Sequence, residues 1–184
     1  MARTTTRTTR GTRDALDLLK ADHAEVKKLF RQFEKFKKED NQEGMQQVAQ
    51  AACAALSVHA RIEEEIFYPA LREAGNADDA LDEADVEHSH VKELVQQLEG
   101  ADPGEDLFAA RFKVLSEYVQ HHVEEEESTI FSKARKADFD LVALGQQLES
   151  RKTELSGEEP GVDVAALAAK EQTAKQRDGQ RAKR

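Results

Sequence analysis

Two stretches of the chain repeat one another, His59-Ala-Arg-Ile-Glu63 and His122-Val-Glu-Glu-Glu126. Each lies in a long run of apolar residues at helical spacing, and each is followed by an aromatic end, Ile66-Phe67-Tyr68 and Ile130-Phe131. Residues four apart stand one above the other on a helix. Each histidine therefore points the same way as its glutamate, toward the apolar side. His23 and His88 sit on the apolar stripes of two further helical patterns. A carboxylate left ionised and unpaired in a core is expensive, or else it takes up a proton. Four imidazoles and two carboxylates sent inward at one level call for transition-metal ions.

The periodicity predicts four long helices. The first starts near Thr12, its cap, with Asp14 in the first turn, and runs to about residue 38. Its stripe is Leu16, Leu19, Val26, Leu29, Phe30, Phe33 and Phe36. Gly44 marks the break. The second covers about 45–73, with Val48, Cys53, Leu56, Ile62 and Ile66 inward. Pro69 should bend or restart it, and Gly75-Asn76 should end it. The third spans about 77–99, carrying Leu81, Ala84, Val91, Leu94, Val95 and Leu98. A turn at Gly100-Ala-Asp-Pro-Gly104 leads to the fourth, about 105–136, with Leu107, Phe108, Phe112, Leu115, Tyr118, Val119, Val123 and Ile130. A shorter fifth helix, near 138–155, offers Leu141, Leu144 and Leu148 for docking.

Short loops allow only sequential antiparallel neighbours. The expected fold is therefore all-α, an up-down-up-down antiparallel four-helix bundle with a short fifth helix and disordered termini. The expected domain limits are a basic arm (1–12), the bundle (13–155) and a mostly disordered tail (156–184). The second and fourth helices are diagonal in that topology, so their repeated motifs grip a centre from opposite corners.

With 39 % apolar and 35 % charged residues, the composition suits a helical protein with a modest core. Nothing approaches the apolar length of a membrane span. The start lacks the apolar region of a secretory signal, which makes the cytoplasm the expected compartment. The net charge of -10 is unevenly spread: residues 1–13 hold four arginines and no acid, and residues 170–184 six basic residues and two acids. The middle is strongly acidic, which argues against a nucleic-acid surface there. The Thr/Arg-rich start reads as a solubilising end, with a weak nucleic-acid or partner arm as the alternative. Cys53, the one cysteine, lies among alanines and reads as a packing residue rather than a redox group or ligand.

Within the pattern, His23, His59, Glu63, His88, His122 and Glu126 are the candidate ligands. Rises of about 1.5 Å per residue bring the four histidines to similar depth. Nitrogen and oxygen donors without thiolate disfavour an iron–sulfur cluster and favour iron or manganese, with iron preferred. His90 and His121 are offset from the stripes and read as bystanders. Glu64 and Glu125 are alternative oxygen donors. Phe30, Phe67, Phe112 and Tyr118 are candidates for an apolar lining, and Tyr118, one turn before His122, for a hydrogen bond to a bound oxygen species.

The chain resembles the hemerythrin-like, or HHE cation-binding, domain family of bacterial type. The resemblance rests on Leu18-Leu-Lys-Ala-Asp-His23-Ala-Glu-Val-Lys-Lys-Leu-Phe30, His59-Ala-Arg-Ile-Glu-Glu-Glu-Ile-Phe-Tyr-Pro69, Glu87-His88-Ser-His-Val-Lys-Glu-Leu94 and His121-His122-Val-Glu-Glu-Glu-Glu127. It implies two iron ions, oxo- or hydroxo-bridged. His23 and His59 would serve one ion, His88 and His122 the other, and Glu63 and Glu126 would bridge them. Oxygen-carrying hemerythrins place another histidine where this chain has Lys92, and an aspartate five residues after the last histidine where Glu126 follows by four. Those departures count against dedicated oxygen carriage.

The expected function is a non-haem di-iron protein that binds or reacts with O₂, hydrogen peroxide or nitric oxide in oxidative-stress handling. A peroxide-decomposing, catalase-like activity is one form of it. The alternative is an iron- or oxygen-responsive sensor or interaction module whose fold depends on metal occupancy. The expected partners are a small diatomic ligand or peroxide, with no membrane and no nucleic acid, in a monomer or weak dimer.

Overall fold

The computed structural model describes residues 13–75 and 78–158, and among them all regular structure is helical. Helix α1 (Ala15–Lys38) is capped by Asp14, whose carboxylate accepts the Asp17 amide at 2.8 Å. The cap thus falls two residues later than the Thr12 expected, because a carboxylate is the better acceptor for the first free amides. Helix α2 (Gln42–Ile62) runs through a π-helical turn (Glu63–Phe67) into α3 (Tyr68–Glu73). Helix α4 is Asp78–Glu99. Helix α5 (Phe108–Glu125) repeats the pattern, passing through a π-helical turn (Glu126–Ile130) into α6 (Phe131–Ala134). Helix α7 is Leu141–Glu158.

Four details depart from the sequence-based expectation. Gly44 lies inside α2, not at a break; Asp40, in the left-handed region at φ 51°, makes the turn and Asn41 caps the helix. A side chain at Gly44 would come within 2.7 Å of the Phe36 ring, which explains the glycine by close approach. Pro69 lies in the first turn of α3, just after the first π-turn, so the α-helix does restart there, but the π-turn and not the proline sets the restart. The second π-turn forms with Ser132 in the corresponding place, so proline is not the cause. Leu107 and Tyr118 are exposed rather than inward.

The bundle has the expected order of neighbours: α1 packs on α2, α2 on α4, α4 on α5 and α5 on α1. Two apolar clusters fill it. One, at the end of the Asp40 turn, joins Phe30, Phe33, Ala52, Phe108, Phe112 and Leu115, and includes Cys53. Burial first, and Glu99 second, push the Cys53 thiol up to about 12, which marks it as inert packing. The other joins Leu16, Leu19, Ile62, Phe67, Leu71, Leu81 and Phe131 with Leu144, Leu148 and Leu155 of α7. Helix α7 therefore docks along the outside of α1, α2 and the first π-turn. Burial of leucines of this kind contributes roughly 1.5–3 kcal/mol each. No helix is long and apolar enough to cross a membrane among the described residues. The basic arm and most of the expected tail lie outside the described residues.

Candidate metal centre

Between the two apolar clusters lies a polar layer. His23, His59, Glu63, His88, His122 and Glu126 are the six buried polar or charged side chains among the described residues, each no more than 6 % exposed. They fall into two groups. Ligating atoms of His23, His59, Glu63 and Glu126 lie within 4.8 Å of one another, as do those of Glu63, His88 and His122. His23 and His59 face each other Nε2 to Nε2 at 3.1 Å, and His88 and His122 at 3.2 Å. Glu63 reaches both groups, with Oε1 3.2 Å from His59 Nε2 and Oε2 3.4 Å from His88 Nε2. Glu126 Oε2 is 3.1 Å from His23 Nε2.

A ring of outer carboxylates decides which nitrogen faces inward. His23 Nδ1–H donates to Glu127 at 2.9 Å, His88 Nδ1–H to Glu64 at 2.9 Å, and His122 Nδ1–H to Glu87 at 2.7 Å. With the proton held on Nδ1, each Nε2 presents a lone pair. His59 is the exception, since its Nδ1 is 3.6 Å from Asp22, beyond hydrogen-bond length. Asp22 instead pairs with Lys152 of α7. The His88 hydrogen bond, and then Lys92, hold the Glu64 carboxyl down to about 2 despite its partial burial. Burial pushes His59 down to about 4, so its imidazole stays neutral.

Inward lone pairs about 3 Å apart repel unless a cation lies among them. The carboxylates impose the same requirement. Neither oxygen of Glu63 or of Glu126 reaches solvent or accepts an aligned hydrogen bond. Burial first, then the charge of Glu126, raise the Glu63 carboxyl well above its ordinary range. Buried acceptors without donors, facing lone pairs, are what a metal cation satisfies. The donor set of imidazole and carboxylate fits a first-row transition ion.

The layer has an internal two-fold repeat that covers more than the two motifs. Asp22-His23 of α1 corresponds to Glu87-His88 of α4, and Glu63-Glu64 to Glu126-Glu127. Tyr68 stacks on His88 with ring centroids 5.6 Å apart, and Phe131 stacks on His23 at 5.9 Å. The π-turns make those stacks. Each carries a hydrogen bond across five residues, from Tyr68 to Glu63 and from Phe131 to Glu126, which turns the aromatic back over the layer.

Tyr68 is thus the site aromatic that sequence reasoning missed, along with the outer carboxylates Asp22, Glu87 and Glu127. Its hydroxyl is buried without a partner, and burial and Glu63 raise its pKa well above the ordinary value. Tyr118, expected beside the ligands, is 44 % exposed and contacts His90 at 6.0 Å. Its direction on a regular helix falls outside the bundle. His90 and His121 are exposed. Glu64 is turned outward to His88 Nδ1 and Lys92, and Glu125 contacts His121, so neither points at the centre. Lys92 reaches away to Glu64 at 2.6 Å, as an ammonium beside a cationic centre should. The expected aromatic lining is also corrected. A small cavity against the histidines is lined by Val26, Leu56, Ala60, Val91, Val119 and Val123, with about 20 Å³ open to the centre of a water-sized molecule. Phe30 and Phe112 belong to the apolar cluster further along, and Phe67 packs on Phe131.

A layer of imidazoles and carboxylates held between apolar clusters of a four-helix bundle defines a metal-binding helical-bundle protein. The family model for the hemerythrin HHE cation binding domain matches residues 14–134, and the chain belongs to that family. A crystal structure of a hemerythrin HHE cation binding domain-containing protein from Mycobacterium kansasii is similar, with a TM-score of 0.65 and 22 % identity over 79 % of this chain and 89 % of that one. That likeness is one of fold. A protein from Nostoc sp. named DNA nickase is 36 % identical over 80 residues, which are 44 % of this chain and 22 % of that protein. The chain thus spans less than a quarter of that relative.

Proposed function

We propose that this chain is a non-haem di-iron protein that binds or reacts with O₂, hydrogen peroxide or nitric oxide in oxidative-stress handling. The observation that carries the reading is the pair of adjoining donor groups sharing Glu63, set against a small aliphatic cavity. His23 and His59 would hold one ion, His88 and His122 the other, with Glu63 and Glu126 between them. A ferrous pair held there would supply the electrons, one from each ion, for reduction of dioxygen or peroxide.

The chain's own residues do the rest. Glu127, Glu64 and Glu87 fix the imidazole tautomers and keep the Nε2 lone pairs inward. The aliphatic cavity admits a species of one or two heavy atoms and keeps bulk water out. The Tyr68 hydroxyl is buried without a partner, near enough to Glu63 for that charge to raise its pKa. Peroxide decomposition in such a site balances as two hydrogen peroxide molecules giving two water molecules and one O₂. Iron-loaded protein should turn over peroxide many times per chain, and stoichiometric consumption only would contradict this reading.

A second reading, an iron- or oxygen-responsive interaction module, is favoured by one contact. Lys152 of α7 pairs with Asp22, whose other carboxylate oxygen stands 3.6 Å from His59 Nδ1, so the docking of α7 reaches the outer side of a candidate ligand. Under that reading peroxide turnover is low, and protease sensitivity at α7 differs widely between iron-bound and metal-free protein. DNA cleavage is not carried over from the Nostoc protein, of which this chain spans so little.

A further inference from the structure

Equivalent ligands sit in unequal surroundings in the two halves of the bundle. Behind His59, the buried Leu18, Leu19 and Ile62 and the partly buried Ile66 pack under α7. Behind His122, the matching positions are Glu83, Ala84, Glu125 and Thr129, and they line a cleft with about 100 Å³ open to the centre of a water-sized molecule. The cleft reaches His122 and Glu126. Glu126 is 1 % exposed, and neither of its oxygens accepts an aligned hydrogen bond. At the rim, Glu87, His121 and Glu125 bring one ligating atom each within 4.8 Å of the others. His121 Nε2 is 3.4 Å from Glu125 and 4.0 Å from Glu87. Glu87 faces both ways, because its second oxygen accepts the His122 Nδ1 proton.

We propose that Glu87, His121 and Glu125, with Glu83 beside them, form a loading site that takes a divalent transition-metal cation from solvent and passes it to the buried centre. The inference rests on the metal-centre reading and adds a route to it. Carboxylate and imidazole are suitable donors for a borderline cation, and their partial exposure leaves it most of its water, so it is held briefly. The acids of the cleft raise the local cation concentration. From the rim to Glu126 the cleft runs past His122, and a partly dehydrated ion meets the carboxylate oxygens of Glu83, Glu87 and Glu126 on the way in. The opposite half offers leucine and isoleucine at the same positions.

The test is the rate of metal uptake, not activity. Metal-free full-length protein is mixed anaerobically with Co²⁺, whose visible absorption reports occupancy of the buried donors. The triple variant Glu83→Gln, His121→Ala, Glu125→Gln, which leaves Glu87 in place, should load about ten-fold more slowly and reach the same final metal content. Added salt should slow the wild type toward the variant. Glu117→Gln with Glu124→Gln, exposed on the same helix, should load like wild type. Equal rates in triple variant and wild type would overturn the proposal, as would a lower final metal content in the variant. Glu83→Gln alone, at an exposed position, should slow loading in the same direction and decides the question if the triple variant does not fold. A wild type that binds no metal at all would instead overturn the underlying centre.

Discussion

The α1–α2 half and the α4–α5 half bind through the same residue types at the same positions, yet one is sealed and the other open. Each contributes two imidazoles, one inward glutamate, an acidic residue before its first histidine, and an aromatic returned by a π-turn. What differs is the outer face. Leu18, Ile62 and Ile66 accept α7, whereas Glu83, Glu125 and Thr129 leave a cleft. The inward imidazoles and carboxylates are kept in the shared layer, and access to them is settled by side chains one turn further out. The family match ends at residue 134, before α7 begins, so the sealed face depends on an element beyond the matched residues.

Removing the group common to both halves should have the largest effect. Glu63→Ala takes away the one carboxylate that belongs to both donor groups. It should cost most of the bound metal in both, with metal analysis as the readout. Glu126→Ala, which removes the other carboxylate placed between the ions, should likewise cost most of the metal, and near-wild-type metal content would show that Glu126 does not bridge.

Next in size is the sealed face. Leu148 is fully buried, and Leu148→Ala should destabilise the fold by about 2–5 kcal/mol in denaturant unfolding. Thr129→Ala, on the open half, should stay within about 0.5 kcal/mol. Comparable losses would mean that the open half is covered as well.

Gly145→Ala is a finer probe of the same dock. A Cβ there would lie 2.8 Å from the backbone of Asp14 and Ala15, which cannot move aside as a side chain would. It should cost about 1–3 kcal/mol and increase proteolysis at α7. No change in stability would place α7 further from the start of α1.

The smallest effect should come from Lys92. Its ion pair with Glu64 is half exposed, so Lys92→Ala should change stability by less than about 1 kcal/mol. Metal content should stay as in wild type, and a loss of metal would give Lys92 a role in holding Glu64 against His88.

The six buried residues were legible in the sequence because a helix repeats every 3.6 residues, and His23, His59, Glu63, His88, His122 and Glu126 all obey that period. Tyr68 was not, because the π-turn resets the period just where the straight wheel was being extrapolated. Tyr118 was misplaced for the related reason that one turn of spacing fixes height but not whether the ring is covered. Asp22, Glu87, Glu64 and Glu127 did leave a signal. An acid precedes His23 and His88, and an acid follows Glu63 and Glu126, so extending the repeat by one residue each way finds them. Helix α7 was expected from Leu141, Leu144 and Leu148, but its place required noticing that the first half carries Leu18 and Ile66 where the second carries Glu83 and Thr129. The breaks expected at Thr12 and Gly44 shifted because Asp14 and Asn41 are the residues whose side chains meet the free amides.

The most direct test of the shared layer is iron per chain after anaerobic reconstitution of the full-length protein, counted by elemental analysis. Two adjoining donor groups predict about two irons per chain, one for each group. Less than about half an iron-equivalent in correctly folded protein would contradict the paired centre, since the facing lone pairs and unpartnered carboxylates would then have to be satisfied without metal.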